Sequence, residues 1–178
     1  MYISQLKKEE NIAEYVLYMW QIEDVIRACN FDVDKITQIV IAKDLEESEL
    51  LKFQDWYANL INQMKIQGIE KQGHLYDINE VLMELTYLHN SLLDHFNDEK
   101  YKQFYSFAEQ FIDDFKKVSN NPNIGPVEVC FNALYGKLIL KLQNKSISEE
   151  TEQAFEAFRN VLAYLSVKYN LMKSGQLV

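Results

Sequence analysis

Three histidines, His74, His89 and His95, and two cysteines, Cys29 and Cys130, are the side chains through which this chain could hold a metal ion or form a covalent intermediate. A di-iron site in a helical bundle needs a Glu and a His three residues apart on each of two helices, so that both point inward. No Glu here has a His at that spacing. Glu84 and His89 are five apart, and His89 and His95 six apart, which splays each pair over different faces of a helix. HExxH, clustered Cys/His ligands, GxxxxGK(S/T), GxGxxG and GxSxG are all missing. No metal site and no cofactor is expected. Cysteine nucleophilic chemistry would need Cys29 or Cys130 to meet His89 through the fold, and no spacing favours that.

Glu23 is the most informative polar position. At about 100° per residue, with Met19 as zero, Ile12 falls near 20°, Val16 near 60° and Ile26 near -20°. Glu23 falls near 40°, inside this apolar stripe, where a carboxylate needs a partner. Arg27, one turn on, can reach it. Burial of Glu23 and pairing with Arg27, or with a hydroxyl from a facing helix, are therefore expected. His89 lies on a second stripe with Leu85, Leu92 and Phe96. One reading of Glu23, Arg27 and His89 is a ligand pocket between helices. The plainer reading, an ion pair and a core histidine satisfied by one partner, is preferred.

A third feature is the segment after Pro126, apolar on two sides. Phe131, Leu134, Leu138 and Leu142 share one face, and Val129, Ala133, Gly136 and Leu140 lie nearly opposite. Glycine inside a helix costs about 1 kcal/mol relative to alanine, so close approach of a neighbouring helix is the expected reason for Gly136. Such a helix is either central or presents one face to another subunit. Val129, Ala133, Gly136 and Leu140 are the candidate interface, with a homodimer as the candidate assembly. An aromatic row, Tyr101, Phe104, Tyr105, Phe107, Phe111 and Phe115, reads as core at this spacing.

These positions need helices to place them, and apolar residues recur at intervals of three and four almost throughout. The pattern predicts an all-α, single-domain bundle of about seven helices with short loops. The first runs from about Glu9 to Cys29. Asp32 or Asp34 caps a second with Ile36, Ile39 and Val40. A third starts near Glu46 with Leu50, Phe53, Tyr57, Leu60 and Met64, and stops at Gly73. Asp77-x-x-Glu80 reads as a capping box for the fourth, with Val81, Leu85, Leu88, Leu92 and Phe96. The fifth follows Asn97-Asp98-Glu99. Ser119 to Pro126, which holds both prolines, is a connector. Pro126 opens the sixth helix and Ser146-Ile147-Ser148-Glu149 caps the seventh. Helices one to five thus span about 9–118 and a C-terminal hairpin about 126–172, all within one domain, 1–178.

Acidic residues number 27 against 18 basic ones, a net charge of -9. Nucleic acids and anionic membranes are attracted by basic stripes, and only Lys7-Lys8 and Lys116-Lys117 are adjacent basic pairs. Neither partner is expected. No apolar window is long enough to span a bilayer, and no secretory signal pattern opens the chain. Two isolated cysteines then read as free thiols in a reducing cytoplasm.

Two segments, Asn11 to Ala28 (NIAEYVLYMWQIEDVIRA) and Phe131 to Leu142 (FNALYGKLILKL) followed by Ile147 to Glu150 (ISEE), resemble an uncharacterised family of about 180 residues from Bacteroides-type bacteria. That family is catalogued only as a domain of unknown function. The resemblance covers nearly the whole chain and implies an intracellular protein, and it transfers no catalytic residue. The leading functional expectation is a non-enzymatic helical protein acting through protein contacts or self-association, with an unidentified protein partner. The alternative is a small-molecule binding protein, or an enzyme, with its pocket near Glu23, Arg27 and His89.

Overall fold

A computed structural model describes residues 2–40, 46–118 and 123–177. They form eight helices: α1 (Tyr2–Glu10), α2 (Ile12–Ala28), α3 (Val33–Val40), α4 (Glu47–Ile66), α5 (Tyr76–Asp94), α6 (Glu99–Val118), α7 (Pro126–Leu142) and α8 (Glu149–Lys173). No strand occurs among the described residues. The extra element is α1. It separates from α2 at Asn11, whose side-chain oxygen accepts the Ala13 N–H at 3.1 Å and restarts the helix. Part of the expected connector, Ser119 to Pro122, lies outside the described residues.

Local chemistry sets the other boundaries. Asn30 and Phe31 both adopt left-handed backbone, with φ of 53° and 61°, and Phe31 N–H returns to the Ile26 carbonyl to close α2. Asp32 accepts from the N–H groups of Asp34 and Lys35 and opens α3. That helix buries Ile36, while Ile39 and Val40 stay exposed. α4 ends at Ile66 rather than Gly73, since Gly68 takes φ +66° and Ile69 N–H bonds the Met64 carbonyl. Asp77 sits inside the first turn of α5 and is not a cap, so the expected capping box is not formed there. Side chains from elsewhere serve that terminus: Glu23 accepts Leu75 N–H and Gln67 accepts Tyr76 N–H. Within the expected Ser146 to Glu149 cap, Ser148 is the residue that accepts Thr151 N–H and opens α8, and Pro126 occupies the first turn of α7, as the sequence predicts.

The chain divides into two compact units, Met1–Glu9 with Glu14–Glu80, and Glu10–Ala13 with Val81–Val178. In the first, Val16, Met19, Trp20 and Ile26 of α2, Ile36 of α3, and Tyr57, Leu60, Ile61 and Met64 of α4 are buried. In the second, α6, α7 and α8 pack on one another. The Asn11 junction docks there: Ser166 accepts Ala13 N–H, and Asn170 donates to the Glu10 carbonyl. The aromatic row of α6 is core only in part. Tyr101 is fully buried, Phe115 packs edge-on against Phe155 and Phe158, and Phe107 faces solvent. Phe96 lies beyond the end of α5 and is likewise exposed.

Candidate functional site

Glu23 is fully buried, as its place on the stripe requires, but Arg27 is not its partner. One carboxylate oxygen accepts from His74 Nδ1 at 2.6 Å and the other from Leu75 N–H at 2.9 Å. A carboxylate only accepts, so Nδ1 carries the ring proton. The Trp20 indole stacks on the His74 ring at 4.3 Å and 11°, fixing its plane. Arg27 turns to the same loop from one turn further along α2. It donates to the Ile69 carbonyl at 3.2 Å and to the Gly73 carbonyl, and pairs with Asp24 at 3.0 Å. Together, Glu23 and Arg27 clamp the loop between α4 and α5 at both ends. His74 is the residue that sequence reasoning missed. It lies 51 positions from Glu23, and no local pattern announces such a pairing.

Glu23 and Arg27 belong to the first unit, and His89 to the second. Their polar partners come from their own units. His89 is buried, shares a 2.6 Å hydrogen bond with the Tyr101 hydroxyl, and meets Tyr105 edge-on at 4.7 Å. Burial pushes its pKa down to about 4, against a smaller opposing effect of Asp94, so the ring is neutral near pH 7. The first unit contains a crevice of about 200 Å³, with Tyr15, Gln63 and Asp77 in its wall, and neither Glu23 nor Arg27 contributes to it. Among the described residues, no group of three or more His, Cys, Asp or Glu is placed to hold a metal ion. Cys29 and Cys130 are free and buried, and burial raises the Cys130 thiol well above its ordinary range, which suppresses the reactive thiolate.

A groove of about 520 Å³ opens in the second unit. Val129, Ala133, Gly136 and Leu140 of α7, the four residues singled out from the sequence, all line it. Phe115 and Val118 of α6 and Phe155 of α8 add to its walls. The floor is deep: Val129 is 2% and Ala133 5% exposed. Among the described residues, no neighbouring helix presses on Gly136, contrary to the sequence expectation. A Cβ placed there would meet nothing within 4 Å, so its missing side chain leaves open space. Across α7, Phe131 is fully buried, Leu134 and Leu138 are half-buried and Leu142 is exposed. Lys137, on this mainly apolar helix, is buried, pairs with Glu152, and lies 5.1 Å from the Phe155 ring centroid. Glu152 is held below the ordinary carboxylate range chiefly by that hydrogen bond.

No helix among the described residues is long and apolar enough to cross a membrane. Comparison with curated proteins finds no match, and comparison with solved structures finds none either. A family model described as "Domain of unknown function (DUF4924)" matches residues 1–176, and the chain belongs to that family.

Proposed function

We propose that this protein works by binding, that its site is the groove between α6, α7 and α8, and that the occupant is a small, largely apolar molecule. The observation that carries this reading is Gly136. Glycine there costs about 1 kcal/mol of helix stability relative to alanine, and no packing contact among the described residues accounts for it. The groove volume of about 520 Å³ falls within the roughly 300–1,000 Å³ of small-molecule sites. A slender occupant is favoured because Val129 and Ala133, at 2% and 5% exposed, present little surface for a partner's helix to cover. In this reading Glu23, Arg27 and His89 are structural. The free, buried Cys29 and Cys130 suit a reducing cytoplasm.

Protein contact, including a homodimer through the same α7 residues, is the second reading. It is favoured by Val118 and Leu142, which are 81% and 70% exposed on two of the helices that form the groove. The two readings separate in one experiment on purified protein. A neutral apolar dye such as Nile red should bind saturably, and Gly136→Leu, which projects a larger side chain into the open space beside its Cβ, should abolish binding while the protein stays helical and melts no lower than wild type. Sedimentation of the same two proteins reads the second possibility, a dimer that Gly136→Leu dissociates. Dye binding unchanged by Gly136→Leu would overturn the groove as the site.

A further inference from the structure

Among the described residues, the groove has one ionisable side chain in its lining, Glu128. We infer that the occupant is a cationic amphiphile of the alkylammonium class, with its head on Glu128 and its chain lying over Ala133 and Gly136 toward Leu140. This rests on the groove being a small-molecule site. Glu128 is half-buried, and among the described residues no hydrogen bond or ion pair engages its carboxylate. Its place in the first turn of α7 suits the helix dipole, which attracts negative charge there. The dipole does not require that carboxylate to border an apolar groove. Asn132, one turn on and also in the lining, offers a second oxygen to the same head group. Lys137, the buried cation of α7, is already committed to Glu152. Beyond Asn132, the α7 lining is uncharged through Leu140, and Thr151 of α8 adds only a neutral hydroxyl, so among the described lining residues charge is confined to one end. Glu128 to Leu140 spans about 18 Å along the helix axis, long enough for a medium-length alkyl chain. An anionic head would face an uncompensated carboxylate in a half-buried place and is disfavoured.

The test uses the whole purified protein with three probes that share a ten-carbon chain: decylammonium, decanol and decanoate. Titration calorimetry below their aggregation concentrations should rank decylammonium first, tighter than decanol by about tenfold, with decanoate weakest. Glu128→Gln should erase the preference for decylammonium and leave decanol binding in place. Because the chain carries a net charge of -9, Glu156→Gln serves as the control. It removes the same charge from an exposed α8 position and should keep the preference. Equal affinity for all three probes, or a preference that survives Glu128→Gln, overturns the assignment of the head group while the groove stands as a site. Failure of every probe to bind overturns both.

Discussion

Replacing Gly136 with alanine should stabilise this protein, and the reasoning can be refuted by a melt. Gly136 lies inside α7 with ordinary helical backbone, and a Cβ there meets no atom within 4 Å. The native state therefore takes the methyl group without strain. The unfolded chain meanwhile loses conformational freedom, and the helix gains about 1 kcal/mol. For a chain of this length that corresponds to a rise in Tm of about 2–4 °C. Had a neighbouring helix approached closely at this position, the added methyl would overpack the contact and cost about 1–3 kcal/mol instead. The two accounts thus differ in sign. Urea melts of wild type and Gly136→Ala, followed by far-ultraviolet circular dichroism, decide between them. A loss of stability beyond about 0.5 kcal/mol would show that the space beside Gly136 is occupied, and the groove reading would fail with it. A gain in stability accompanied by weaker Nile red binding is the expected outcome, since the methyl group narrows the groove at its open point.

Glu23→Ala should cost about 3–5 kcal/mol, because it strands the Leu75 N–H and removes the partner of His74, while Glu23→Gln keeps one acceptor and should cost about 1 kcal/mol. Equal losses in denaturant melts would show that the carboxylate does not organise the loop. Arg27→Met should cost about 1.5–3 kcal/mol through its two carbonyl contacts, whereas Asp24→Asn should change stability by less than about 0.5 kcal/mol, since the Asp24 side chain is 52% exposed. The reverse order would make the surface ion pair the important contact. His89, whose pKa falls from 6.5 to about 4 on burial, binds a proton more readily in the unfolded chain. Its contribution is complete above about pH 6.5 and is lost as pH falls toward 4, at up to about 1.4 kcal/mol per pH unit. His89→Gln should flatten the stability profile across that window, and an unaltered slope would count against a neutral buried imidazole.

Much of this architecture is legible in the sequence because it depends on neighbours in the chain. Three-and-four spacing places Val16, Met19 and Ile26 on one face, and a serine at Ser148 or a proline at Pro126 acts within one turn of itself. The burial of Glu23 follows from the same periodicity. Boundaries were harder where two local signals compete. Gly68 and Gly73 can each end α4, and only the return of Ile69 N–H to Met64 selects the first. Partners are a different matter. That Glu23 takes His74 and not Arg27 depends on where the loop after α4 passes α2, a distance that helix periodicity does not encode. Gly136 makes the same point. Its spacing with Val129, Ala133 and Leu140 identifies a special face of α7, but a glycine that admits a neighbouring helix and one that leaves a cavity are identical in sequence. The arrangement of α6 and α8 around α7 distinguishes them, because close packing or open space is a property of the surrounding atoms.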